Sequence, residues 1–117
     1  MEALVFDKVT DIFQKLGWEV TREEKIEDCN MYSDITLRYN DKIYGFVEIV
    51  DTKDLHTKTR KITWYLDEYL KEHKTPVFII TNGYKYDVYH YGEFYGSLTI
   101  PPSPKNVNTL FGGELNE

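Results

Sequence analysis

The stretch Asp34-Ile35-Thr36-Leu37-Arg38-Tyr39-Asn40-Asp41-Lys42-Ile43-Tyr44-Gly45-Phe46-Val47-Glu48-Ile49-Val50 decides how this chain is read. Ile35, Leu37 and Tyr39 alternate with Asp34, Thr36 and Arg38, the period-two pattern of a half-buried strand. Asn40, Asp41 and Lys42 supply turn chemistry, so a hairpin follows. Its second arm, Ile43 to Val50, is apolar on both faces apart from Glu48, as expected of a central strand in a sheet covered on both sides. A three-residue loop, Asn40 to Lys42, sets Tyr39 opposite Ile43 and Asp34 opposite Glu48. Their Cβ atoms then lie about 4.5–5.5 Å apart on one face. A two-residue loop instead sets Val47 opposite Asp34 and turns Glu48 to the other face.

Working outward, Leu4, Val5, Val9, Ile12, Phe13 and Leu16 recur at helical spacing, and Gly17 stops the helix. Trp18 to Ile26 reads as a strand fading into a polar loop at Glu27 to Asn30. Leu55 to His73 carries Leu55, Ile62, Leu66, Tyr69 and Leu70 at helical spacing and ends before Pro76, which predicts a long second helix. Val77 to Thr81, a two-residue Asn82-Gly83 turn and Tyr84 to Tyr91 predict a second hairpin. After Gly92 the chain carries Pro101, Pro102 and Pro104 and few apolar residues, so residues 93–117 are expected to form an extended tail that packs on the domain or frays. The fold class is therefore α/β: a mixed sheet flanked by two helices, in one domain over residues 1–92.

Composition bounds the function. A chain of 117 residues fits one domain of ordinary size. No apolar run approaches the roughly 18–20 residues of a membrane span, and Met1-Glu2 does not open a signal peptide, so a cytoplasmic protein with no membrane partner is expected. Cys29 is the only cysteine, which rules out an internal disulfide and a thiolate zinc cage. Fourteen Lys and Arg against twenty Asp and Glu give a net charge of −6, so any nucleic-acid contact must be a local patch. Glu19 to Asp28 holds five acids against Arg22 and Lys25, whereas Lys53, Lys58, Arg60 and Lys61 face only Asp54 in their stretch. The second stretch is the anion-facing candidate; its alternative is a solvated helix face.

Two carboxylates side by side repel, and Glu48 is flanked by Phe46 and Val50, where an ionised group is costly without a partner. A hard divalent cation, Mg²⁺ or Mn²⁺, between Asp34 and Glu48 would satisfy both and polarise a phosphodiester or a bound water. Two structural readings stand beside it: Asp34 bonding a turn amide near Ser33, and Glu48 pairing with Arg38 or a helix lysine. His56, His73 and His90 are scattered, Ser33 carries no nucleophile signature, and the tyrosines Tyr84, Tyr86, Tyr89 and Tyr91 suit base stacking, a partner surface or plain sheet packing.

Asp34, the hairpin, Val47-Glu48-Ile49 on a central strand, the following helix and Thr81-Asn82-Gly83 together resemble the PD-(D/E)XK nuclease superfamily. The likeness is strongest to the N-terminal nuclease region of the type I restriction enzyme motor subunit and covers most of the chain, from the first helix, which ends in Leu16-Gly17-Trp18, to about Tyr91. The resemblance implies a restriction-endonuclease-like αβββαβ core and DNA cleavage with Mg²⁺ on Asp34 and Glu48, assisted by Glu2 near the start of the first helix. The lysine the family carries two residues after the Glu is here Val50, and Lys61-Ile62-Thr63-Trp64-Tyr65 stands where the family has Gln-x-x-x-Tyr. Lys58, Lys61 and Tyr65 share one helix face, so Lys61, or failing it Lys58, is the candidate for a migrated catalytic lysine. Lys53, Lys58, Arg60 and Lys61 then meet DNA phosphates. The alternative is a catalytically degenerate nuclease-fold module that binds protein or nucleic acid. A third reading is a subunit that brings the site to a larger protein assembly or works as a homodimer.

Overall fold

The computed structural model describes residues 3–26, 32–50 and 75–111. Helix α1 spans Ala3–Lys15 and closes on Gly17, whose φ of 107° suits a residue without a side chain. The Gly17 and Trp18 amides donate to the Gln14 and Phe13 carbonyls at 3.0 and 3.2 Å, the bond pair that ends a helix on a left-handed residue. Phe6, Val9 and Phe13 form the buried stripe of α1.

Six strands follow: β1 (Glu19–Lys25), β2 (Tyr32–Tyr39), β3 (Lys42–Ile49), β4 (Val77–Thr81), β5 (Tyr86–His90) and β6 (Glu93–Leu98). They form one sheet in chain order, antiparallel throughout except for the parallel pair β3 and β4. Parallel neighbours require a crossover connection. The expected helix at Leu55 to His73 falls in that connection and lies outside the described residues. The protein is a mixed α/β fold with helices flanking a six-stranded sheet, consistent with a restriction-endonuclease-like fold.

Alternation sorts the central strands into two faces. Ile35, Leu37, Val47, Ile49, Val77, Ile79, Tyr86 and Val88 join α1 in the core. Asp34, Thr36, Phe46, Glu48, Phe78 and Ile80 take the intervening positions, and all but Asp34 are buried. Gly45 lies beside Val77 across the parallel pair, and a Cβ there would collide with the Val77 carbonyl oxygen and sit 2.9 Å from the Val77 Cβ. The close approach of β3 and β4 therefore depends on glycine at that position.

Three local expectations need correction. The first hairpin turns through two residues, not three: Tyr39 pairs with Lys42, and Asn40 and Asp41 take φ of 51° and 63°, as a tight hairpin turn with two left-handed residues requires. One residue beyond, the ladder slips, since Arg38 pairs with Ile43 but Leu37 pairs with Gly45. Tyr44 is the extra residue of this bulge, and it packs into the core with its ring 6.3 Å from that of Trp18. Burying the Tyr44 ring favours the bulge, and the bulge restores the register that a three-residue loop would have set.

The second hairpin is also different. Thr81 pairs with Tyr86, so its loop has four residues, Asn82 to Lys85, rather than Asn82-Gly83 alone. Asn82 Oδ1 accepts from the Tyr84 and Lys85 amides, both at 2.9 Å, and Thr81 Oγ1 accepts from the Gly83 amide at 2.9 Å. These side-chain bonds replace the backbone bonds of a two-residue turn.

Finally, the segment after Gly92 packs on the domain as expected, but as regular structure through Phe111 rather than as an extended tail. Tyr91 and Gly92, both at positive φ, turn the chain into β6, and helix α2 (Pro104–Phe111) follows. Ser103 caps α2: its Oγ accepts from the Asn106 amide at 3.0 Å while Asn106 Oδ1 accepts from the Ser103 amide at 3.2 Å. Val107 is fully buried in the core, and the Trp18 indole donates to the Pro102 carbonyl at 2.9 Å. Ser103-Pro104 is a helix-start signal, with proline at a first-turn position where its missing N–H costs nothing.

Candidate functional site

Past the bulge, Leu37, Thr36 and Ile35 pair with Gly45, Phe46 and Val47. The ladder ends at Ile35 and Val47; Asp34 and Glu48 are the neighbouring residues of their strands, and alternation puts both on the sheet face opposite α1. The two carboxylates thus share one face, although the loop that sets their register is not the expected one.

Their surroundings differ. Asp34 is half-buried, and its Oδ2 accepts from the Ile49 amide at 2.8 Å. The next amide, Val50, donates to the Thr81 carbonyl at 2.8 Å, so the end of β3 is held from both sides. This is the partner of Asp34, rather than a turn amide near Ser33; the Ser33 hydroxyl donates to the Ile35 carbonyl at 2.5 Å. Because Asp34 is tied to the strand that carries Glu48, its carboxyl is fixed relative to Glu48 through a single hydrogen bond. Glu48 is only 5% exposed, with Ile80 beside it on β4 and Phe46 and Phe78 in the adjacent row.

Arg38, one candidate partner for Glu48, forks onto Glu24. Its Nη1 donates to Glu24 Oε1 at 2.9 Å and to Thr21 Oγ1 at 3.0 Å, and its Nη2 donates to Glu24 Oε2 at 2.7 Å. The Arg38 hydrogen bonds hold the Glu24 carboxyl below its ordinary pKa, against the opposing effect of partial burial. This two-pronged pair fastens β1 to β2. The acidic run from Glu19 to Asp28, which the sequence also offers as a protein-contact segment, supplies Glu24 to this pair.

The remaining candidates do not enter the described part of the site. Lys53, Lys58, Arg60, Lys61, Tyr65 and Glu2 lie outside the described residues. Val50, at the position where the resemblance implies a lysine, is buried. Among the described residues no group of three or more His, Cys, Asp or Glu side chains is placed to hold a metal ion. Asp87 lies in the same row as Glu48, but Ile80 separates them and Ser97 donates its hydroxyl to Asp87 at 2.5 Å. The one element of the site that the residue pattern concealed is the Ile49 amide, since a main-chain donor leaves no compositional trace.

No family model matches the sequence, and no curated protein matches it. The fold is similar to a solved structure described as a cryoEM structure of a DrdV–DNA complex, with a TM-score of 0.51 at 18% identity. The likeness covers 79% of this chain and 9% of that one, so the chain spans less than a tenth of its structural neighbour. Among the described residues no helix is long and apolar enough to cross a membrane. At that identity the likeness is one of fold, and the fold it supports is the mixed-sheet, restriction-endonuclease-like arrangement described above.

Proposed function

We propose that this chain is a nuclease-like domain of the PD-(D/E)XK type that acts on DNA, hydrolysing phosphodiester bonds with Mg²⁺ or Mn²⁺ held by Asp34 and Glu48. What supports the reading is that Asp34 and Glu48 alternate onto the same face of neighbouring strands just past the Ile35–Val47 pair, with Asp34 accepting from the Ile49 amide. The donor set fits the ion: both groups offer hard oxygen, and Mg²⁺ is commonly held by one or two carboxylates with waters completing its shell. Bound there, the ion would polarise the phosphodiester and activate water. Asp34 keeps its orientation through the Ile49 amide, and Glu48 supplies its charge from a site shielded from solvent. Lys61, or Lys58 in its place, neutralises charge that develops on the phosphate, while Lys53 and Arg60 contact the backbone of the DNA. Glu2 is the further candidate acid. The fold likeness to a DNA-complexed protein supports DNA as the partner.

Calorimetric titration with Mg²⁺ and Mn²⁺, together with cleavage of plasmid and single-stranded DNA, tests the reading. Metal binding and cleavage are expected, both lost in Asp34→Asn and Glu48→Gln, with cleavage alone lost in Lys61→Ala. No heat of binding with either ion and no cleavage would refute it. One observation favours a second reading, a binding module without catalysis: Val50, a buried apolar side chain, holds the position of the family's lysine. That reading expects DNA or protein binding with no cleavage and no change in Asp34→Asn.

A further inference from the structure

On the α1 side of the sheet, away from Asp34 and Glu48, a cavity of about 390 Å³ opens to solvent. Lys8 and Ile12 of α1, Tyr84 and Tyr86 of the second hairpin, and Ile100 and Pro101 after β6 line it. Two of the three most exposed large apolar side chains among the described residues line it, Ile100 at 69% and Tyr84 at 66%. Leu4 lies one helical turn before Lys8, so Leu4, Lys8 and Ile12 form one stripe of α1. Contiguous exposed apolar surface around a concavity is characteristic of an interaction site.

Charge distinguishes the kinds of occupant. The acids on either side of Lys8 are already engaged: Asp7 with Arg22 at 2.8 Å and Asp11 with Lys15 at 2.9 Å. Lys8 instead holds its ammonium 4.2 Å from the centre of the Tyr84 ring, at the mouth of the apolar cavity. A cation poised over an aromatic face keeps its charge available to an anion arriving from the open side. The whole chain carries −6, yet among the described residues the only charged one lining this cavity is basic.

We infer that the cavity docks a segment of another protein that inserts apolar side chains against Ile12, Tyr84 and Ile100 and sets a carboxylate on Lys8. The volume takes one or two large side chains, and the open mouth lets the rest of the segment stay outside. This surface is independent of the nuclease reading, because it lies on the other side of the sheet.

The test uses the full chain labelled with ¹⁵N and a synthetic twelve-residue amphipathic peptide, with Leu and Phe on one face and Glu on the flanks. A control peptide replaces every Glu by Lys. The Glu peptide is expected to shift the amides of Lys8, Gly83, Tyr84 and Ile100 and to bind at least fivefold more tightly than the control. Lys8→Glu should reverse that preference, and Ile100→Glu, at an exposed position that leaves the fold intact, should weaken the Glu peptide at least tenfold. Equal affinity for the two peptides, or shifts confined to residues near Asp34 and Glu48, would overturn the inference. So would a concentration-dependent dimer in sedimentation that Ile100→Glu abolishes, since the occupant would then be a second copy of this chain.

Discussion

The bond from the Ile49 amide to Asp34 Oδ2, at 2.8 Å, makes Asp34 a structural residue as well as a candidate metal ligand. Asp34→Ala removes an acceptor that is charged and leaves a strand-end amide without a partner. Hydrogen bonds to charged groups contribute about 1.5–3 kcal/mol, so the variant should lose about that much stability. For a domain of this size, each kcal/mol moves the melting midpoint by roughly 4 °C, giving an expected fall of about 6–12 °C. Asp34→Asn keeps an oxygen acceptor at the same place and should lose no more than about 1 kcal/mol. Circular dichroism melts of the two variants in metal-free buffer measure both effects. If Asp34→Ala melts within about 1 °C of the parent, or Asp34→Asn falls as far as Asp34→Ala, the bond does not hold the end of β3. The comparison also determines how cleavage is tested: loss of cutting in Asp34→Ala mixes fold with chemistry, whereas loss in Asp34→Asn reports the charge.

Other consequences follow from the packing. Gly45→Ala drives a Cβ into the Val77 carbonyl, where backbone cannot give way cheaply, and should cost about 1–3 kcal/mol in urea denaturation; an unchanged midpoint would refute the close approach of β3 and β4. Glu24 titrates below its ordinary value because of Arg38, so the pair stabilises the fold fully above about pH 4.5 and loses that contribution as pH falls through the lowered pKa. Arg38→Gln should therefore differ from the parent in denaturation at pH 7 and differ less at pH 3, and a gap independent of pH would exclude the ion pair as its cause. Trp18→Phe deletes the indole bond to the Pro102 carbonyl and should speed amide exchange in α2, which hydrogen-exchange mass spectrometry detects; unchanged protection there would show that Val107 alone holds α2.

What the amino-acid order determined by itself was the content of each element. The alternation of Ile35, Leu37 and Tyr39, the two-faced apolar run to Val50 and the glycine after Leu16 each specify a strand or a helix end through neighbours a few residues away. The arrival of Asp34 and Glu48 on one face of neighbouring strands is different in kind. It depends on a two-residue turn and a bulge, and the bulge is favoured by Tyr44 packing on Trp18, a contact between residues remote in the chain. A period-two pattern states which side chains are apolar but not how many residues oppose one another, because one inserted residue exchanges the faces without changing composition. In the same way, the prolines after Gly92 suggested an exposed tail, while the Trp18 indole and the core site for Val107 draw that segment into a strand and a capped helix. Tertiary packing decided these points, since the energy that settles them comes from surfaces that meet only once the sheet has formed.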